Sequence, residues 1–249
     1  MSTPALPKNL RIGCVPYLNV KPLTQRLPDP LVYEEPSRLV VDFEAGAFDI
    51  ALLPVAACFG HTGYRMLRGL GIGSDGPVYS VILALEKPLE DVKTVALHGA
   101  SRSSAHLLRV LAARYFHKPF DYASEGADAD AHLWIGNPAI EYRQKNPHKP
   151  VIDLGQAWKE YAGLPFVYAA WMVHPDSGIS RETLEAFREL SLSGLQDRER
   201  IARNAFERHY LSENIRHRFD AAYEQGLARF GQELLELRLL KSAALPELV

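Results

Sequence analysis

Four consecutive polar residues, Ser101, Arg102, Ser103 and Ser104, follow a glycine in GASRSS and open a segment with one apolar face. If that segment is a helix, its first N–H groups have no intrahelical partners and carry the positive end of its dipole. Serine hydroxyls and a guanidinium at that point complete a cradle for a carboxylate or a phosphate. A cap uses one serine and leaves the others over, so the cluster points to anion binding; a single cap among solvated neighbours is the alternative. In IGNP, Asn137 precedes Pro138, which suits a helix cap followed by the first helical residue. Gly136 and the Asn137 amide are also candidates for contact with a ligand. Ser80 stands at the head of the apolar run SVILAL, placed to serve either a carboxylate or its own backbone. In RIGCVPYLNVKPL the apolar run from Arg11 to Val15 gives way to Tyr17, Asn19 and Pro22. An amide just past an interior strand either lines the cleft of an open α/β sheet or caps the next helix. Together these residues describe a site of hydroxyls, amides and one helix N-terminus for a small, oxygen-rich, negatively charged molecule.

Other chemistries lack their residues. There is no HExxH and no Cys/His cluster, so no protein-bound metal is expected. GxGxxG, GxxxxGK[ST] and GxSxG are likewise missing. LRGLGIGSDG is rich in glycine but follows no clear βα pattern. His98, beside the serine cluster, is either structural or catalytic.

The elements that must hold these residues are legible as alternating apolar runs and amphipathic stretches. Strands are expected at 11–15, 31–33, from Asp49, from Tyr79, at TVALHG, at AHLWIG and from Pro165, with helices at PSRLVVDFEAG and after GASRSS. Such alternation argues for α/β sheets. After His174 come amphipathic, highly charged helices, with Ser180, Asp197 and Ser212 as expected N-caps. Their charges read as a solvated face without a function. EKPLEDVK and VHPDSG look like two crossovers, which divides the chain into one lobe of residues 1–88 and 174–249 and a second lobe of 89–173, with a ligand cleft between them. A single doubly wound sheet is the alternative.

Composition sets the class. The 249 residues are 47% hydrophobic and 23% charged, with a net charge of −2, which is ordinary for a globular protein and offers no surface for nucleic acid or an anionic membrane. Cys14 and Cys58, the two cysteines, both lie in apolar runs and read as buried free thiols of a reducing compartment. The N-terminal residues do not resemble a secretory signal and no run is long enough to span a bilayer, so a cytoplasmic location is expected.

The order PYLNVKPL, PSRLV, FDIALLPV, DGPVYSVIL, SRSS, LWIGNPA, DLGQAW and GLPFVYAAW resembles the chorismate dehydratases of the futalosine menaquinone pathway, from about Arg11 to Trp171 and more loosely through YLSENI. The resemblance implies a two-lobed periplasmic-binding-protein-like (type II) α/β fold with a C-terminal helical segment. It implies loss of water from chorismate, a small dianion, to give 3-[(1-carboxyvinyl)oxy]benzoate, with no cofactor. It also makes Asn19 the family's cleft asparagine, close to the reacting ring, where an amide orients the substrate or the departing hydroxyl. The chain departs from the family's usual SRTS at Ser103, from its aspartate after IG at Asn137, and from its threonine before GLPF at Ala162. Three rivals are a 1,4-dihydroxy-6-naphthoate synthase, against which PYLN counts, a non-catalytic binding protein for a small carboxylate, and the effector domain of a transcription regulator.

Overall fold

The computed structural model describes residues 6–61, 63–97 and 102–249. The chain lays down β1 (Ile12–Cys14), β2 (Leu31–Tyr33), β3 (Ile50–Pro54) and β4 (Arg65–Ser74) in one sheet. It then crosses to a second sheet for β5 (Val81–Leu85), β6 (Thr94–Ala96), β7 (Asp121–Ala123), β8 (Ala131–Ile135) and β9 (Val151–Asp153), and returns to the first for β10 (Phe166–Val173), β11 (Arg216–Arg218) and β12 (Glu247–Leu248). Among the described residues the first sheet runs β11-β4-β10-β3-β1-β2, with β12 on β4, and the second runs β7-β6-β8-β5-β9. β1 is parallel to β2 and β3, while β10 lies antiparallel between β3 and β4. The two sheets are the cores of two lobes, and the alternative of one doubly wound sheet is set aside.

Sheet membership moves the expected crossovers. β5 pairs antiparallel with β8 and β9, and β10 pairs with β3 and β4, so the chain changes sheet at residues 75–80 and 163–165. The expected lobes of 1–88 with 174–249 and 89–173 therefore each held one strand of the other sheet. EKPLEDVK and VHPDSG are instead turns within a lobe, carrying the short 3-10 turns Leu89–Asp91 and Pro175–Ser177. A strand buried on both faces is a continuous apolar run, and such a run does not reveal its partner.

LRGLGIGSDG proves to be most of β4, a ten-residue strand inside the first sheet. Its glycines let a pair of aromatic rings lie flat on the backbone. A Cβ on Gly71 would stand 2.4 Å from the Ala169 carbonyl oxygen and 2.9 Å from the Phe219 ring, and one on Gly73 would meet both Phe219 and Tyr223 at 2.9 Å. Phe219 and Tyr223 stack with their ring centres 4.7 Å apart.

The C-terminal segment is less regular than its amphipathic pattern suggests. Ser180 caps the helix Arg181–Gly194 as expected; Asp197 stands at the N-cap of the short helix Arg198–Ile201 but makes no capping hydrogen bond and pairs with Arg26, and Ser212 lies inside a π-helical turn, Tyr210–Asn214. The final helix, Ala221–Glu236, starts later, at the Asp220 cap. It packs on β10 and on the helix Arg102–Arg114. Trp158 of the helix Leu154–Ala162 is fully buried between Phe166 and Phe230, edge to face at 5.3 and 5.9 Å, a geometry worth about 0.5–1.5 kcal/mol per pair beyond area burial. Cys14 and Cys58 are buried free thiols, and burial pushes both pKa values up to about 12.

Candidate functional site

Residues just past β1, at the ends of β3 and β8, within β10 and at the start of the helix Arg102–Arg114 line a cavity between the lobes, a common position for small-molecule sites. Asn19, Ser80, Ser103, Ser104 and Gly136 line it, with Tyr17, Tyr168 and a set of aliphatic residues and prolines. None of the described residues lining it is charged.

Asn19 lies in the 3-10 turn Leu18–Val20 just beyond β1, which fits the cleft reading better than the cap reading: no side chain caps the short helix Lys21–Thr24 that follows. The residue is 8% exposed, and its Oδ1 is buried with no hydrogen-bond partner among the described residues. Its main-chain carbonyl accepts from His217 Nε2 at 2.8 Å, a residue 198 positions away. Close to its side chain, the Tyr210 hydroxyl donates to Ser80 Oγ at 2.7 Å. Tyr210 and His217 both come from the tail that the charge pattern marked as a solvated face, and both are buried. The available signal was the presence of uncharged rings in an otherwise charged stretch.

Burial, with Arg198 and Arg216 close by, lowers the His217 ring pKa to about 4, so the imidazole is neutral at pH 7 and Nε2 carries the proton given to Asn19. Between pH 6.5 and about 4 the unfolded chain takes up a proton here that the folded chain refuses, so stability falls as pH falls through that window. His217→Gln keeps an N–H donor without the titration. Melting curves at pH 7 and pH 5 are expected to differ less for this variant than for the wild type.

Ser80 is held by strained backbone. Tyr79, just before it, has φ +66°, in the left-handed region, at a cost of about 1–3 kcal/mol. Asp153 holds this conformation: its two carboxylate oxygens accept from the N–H groups of Val78 and Tyr79 at 3.0 and 2.7 Å, and Oδ1 also caps the helix Leu154–Ala162 through Gly155 and Gln156. The Arg143 guanidinium lies 3.9 Å over the Tyr79 ring. The Ser80 carbonyl accepts from Gly136 N–H at 2.8 Å, which ties the two cavity residues together.

Of the serine cluster, Ser103 and Ser104 are buried in the cavity wall, and Ser103 Oγ accepts from Ala56 N–H at 3.0 Å, a bond from the first lobe to the second. Arg102 does not meet the expectation of a ligand contact. It is exposed and is not among the described residues that line the cavity. Ser101 and His98 lie outside the described residues.

Gly136 has φ +60°, and a Cβ there would press on the Tyr17 ring at 3.0 Å, so this glycine lets a ring from the first lobe lie flat on the second. Asn137 corrects its expectation twice. It is the second residue of the helix Gly136–Lys145, which has Ile135 as its cap, and it does not line the cavity. Its Oδ1 instead accepts from Leu18 N–H at 3.1 Å and caps the 3-10 turn that carries Asn19. Asn137→Ala is expected to cost about 1 kcal/mol, or about 2–4 °C in melting temperature. Aspartate keeps an acceptor oxygen there, so Asn137→Asp is expected to cost less.

The phenols around the cavity stay protonated. Burial, the Glu35 carboxylate and a hydrogen bond to it raise Tyr17; burial raises Tyr168 and Tyr210. The described part of the site thus offers neutral donors, three buried serine hydroxyls and one unpartnered amide oxygen.

Comparison with known proteins fits this architecture. A family model described as menaquinone biosynthesis matches residues 10–234. A chorismate dehydratase of Thermus thermophilus is 28% identical over 198 residues, 68% of this chain and 73% of that protein. A solved protein of Archaeoglobus fulgidus is similar at a TM-score of 0.68 and 17% identity, covering 93% of this chain and 98% of the other. A Candida albicans protein described as having the generic periplasmic binding protein fold gives a TM-score of 0.65 at 14% identity, covering 95% and 92%. These likenesses show the periplasmic-binding-protein-like fold, and the family match spans most of the sequence: the chain belongs to the menaquinone biosynthesis family.

Proposed function

We propose that this protein is a chorismate dehydratase, a hydro-lyase that eliminates water from chorismate to give 3-[(1-carboxyvinyl)oxy]benzoate in menaquinone synthesis by the futalosine route, with no cofactor. The observation that carries this reading is a cavity whose described lining is uncharged and includes Asn19, Ser80 and Ser103 together. The likeness to a chorismate dehydratase supports it.

The reaction removes the ring proton on the ether-bearing carbon and the hydroxyl on the neighbouring carbon. The electron pair of the C–H bond forms the new ring double bond, hydroxide departs with its own pair, and proton and hydroxide leave as water. The ring becomes aromatic, so the driving force is large and the protein needs chiefly to hold geometry. Asn19 Oδ1 is an acceptor, and it orients the substrate hydroxyl. Ser80 and Ser103 each already accept a hydrogen bond, from Tyr210 and from Ala56. Their own protons are therefore available to substrate carboxylates, assisted by the N-terminal end of the helix Arg102–Arg114. An amide is a poor base, so a substrate carboxylate takes the ring proton. With no cation among the described lining residues, desolvation raises the basicity of that carboxylate, where a guanidinium clamp would lower it. In this reading the two lobes close on the substrate in the cytoplasm, a reducing compartment that suits the two free thiols.

Incubation of the purified protein with chorismate, followed by chromatography and mass measurement, tests the proposal. The expected product is aromatic and lighter than chorismate by one water. Chorismate that binds and returns unchanged would indicate a binding protein for a small carboxylate. Chorismate that neither binds nor reacts would point to a different substrate, such as that of a 1,4-dihydroxy-6-naphthoate synthase.

A further inference from the structure

Tyr168 lines the cavity from β10, and its hydroxyl lies 3.3 Å from Oγ of Ser74, the last residue of β4. Ser74 is fully buried, is not among the residues that line the cavity, and donates from Oγ to the Gly76 carbonyl at 3.0 Å. A hydroxyl has one proton to give, and a carbonyl can only accept. The Ser74 proton is therefore spent on Gly76, and the phenol donates to Ser74. Two hydrogen bonds in series thus run from a ring of the cavity wall to the crossover at residues 75–80.

The second lobe rests on the same atoms. A Cβ on Gly155, at the start of the helix Leu154–Ala162, would stand 2.6 Å from the Gly76 carbonyl oxygen and 2.8 Å from both Ser74 Oγ and the Tyr168 hydroxyl. Only a residue without a side chain seats the helix this closely. Along the crossover the chain passes from one lobe to the other within two residues. The Pro77 carbonyl still accepts from Asn214 Nδ2 of the first lobe, at 3.1 Å, whereas the N–H groups of Val78 and Tyr79 are held by Asp153 of the second. We propose that Tyr168 is a positioning residue: through Ser74 it fixes the crossover and the seat of Gly155, and so sets the width of the cavity between Asn19 on the first lobe and Ser80, Ser103 and Ser104 on the second. The bonds that cross between the lobes, Ala56 N–H to Ser103 Oγ and Leu18 N–H to Asn137 Oδ1, depend on this register. The effect on catalysis rests on the proposed elimination of water; the effect on lobe position does not.

The test measures a distance across the cavity in the full-length, ligand-free protein by pulsed electron spin resonance. Val41 and Lys145 are exposed and stand on opposite lobes, on the helices Pro36–Glu44 and Gly136–Lys145, both of which begin at the cavity. Nitroxides on Val41→Cys and Lys145→Cys report the gap, while the buried Cys14 and Cys58 stay unlabelled. The wild type is expected to give one narrow distribution. Tyr168→Phe, which keeps the ring and removes the donor, and Ser74→Ala, which alters no cavity residue, are each expected to broaden it toward longer distances. Ser74→Ala supplies the result if Tyr168→Phe does not fold. Equal distributions in the wild type and the folded variants would overturn the proposal whether or not chorismate is turned over. Turnover adds a second readout. Each variant is expected to lower kcat about 10-fold by misplacing the serines, and the double variant no further than the stronger single one. A phenol that instead gave its proton to the ligand would make Tyr168→Phe costly and leave Ser74→Ala near the wild type, and that pattern would also overturn the proposal. A wild type with no activity on chorismate would count against the proposed function, and the distance measurement would still decide the role of Tyr168.

Discussion

Asn19→Ala is expected to reduce turnover of chorismate by about 100–1000-fold, the scale seen when one well-placed polar contact to a reacting group is lost. The fold should survive the change. The contact that anchors the 3-10 turn is the Asn19 main-chain carbonyl, which accepts from His217, and alanine keeps it. The Leu18 N–H still meets Asn137. What is removed is the carboxamide with its buried Oδ1. The loss should therefore fall on kcat more than on KM, since the carboxylates still meet Ser80 and Ser103. Asn19→Asp should fail in a different way: it keeps an acceptor but sets a negative charge in a cavity whose described lining is uncharged, opposite a dianion, so KM rises. Steady-state kinetics with melting curves on both variants separates the two outcomes. A folded Asn19→Ala variant within about threefold of wild-type kcat would remove Asn19 from the reaction.

Glu233→Ala is expected to destabilise the protein by about 3 kcal/mol, or about 6–12 °C in melting temperature. The carboxylate is 2% exposed, on the final helix Ala221–Glu236. It accepts from Arg114 Nε at 2.8 Å, from Arg229 Nη2 at 2.6 Å and from the Tyr161 hydroxyl. Arg114 and Tyr161 belong to the second lobe, so one buried charge fastens the C-terminal helix to that lobe. The estimate sits at the low end for a broken buried pair because both guanidiniums reach water, and Arg114 keeps Glu236. Burial alone would raise the Glu233 pKa; the hydrogen bonds from Tyr161, Arg114 and Arg229 outweigh it and hold the carboxyl below its ordinary value. A depressed carboxyl contributes stability above its unfolded pKa of 4.5, and that contribution is lost as pH falls through the folded value. Denaturant melts of the wild type and Glu233→Gln at pH 7 and pH 3.5 check the sign: the gap between them should shrink at the lower pH. A gap that holds or widens would show that the cluster contributes no linked proton.

Most of the cavity was legible in the sequence for a simple reason. Asn19, Ser80, Ser103, Ser104 and Gly136 stand where apolar runs stop, and in two-lobed α/β folds the ends of interior strands face the cleft. Direction was harder to read. Arg102 and Asn137 are each within one residue of a cavity residue, yet one faces solvent and the other crosses to Leu18, because a helix turns by about 100° per residue. The lobe boundaries moved because β5 and β10 are apolar runs that would suit either sheet. β4 was missed because its glycines, which look like loop, make room for Phe219 and Tyr223. Tyr210 and His217 reach the site over more than a hundred residues of chain, through pairings that no local pattern encodes.

The proposed elimination of water from chorismate is followed most directly with ring-labelled 13C chorismate by NMR in the presence of the protein. The two sp3 ring signals, those of the ether-bearing and hydroxyl-bearing carbons, are expected to decay together as aromatic signals grow. The rate should scale with protein concentration and collapse in Asn19→Ala. Persistence of both signals, or their conversion solely by rearrangement of the enolpyruvyl ether at the protein-free rate, would contradict it.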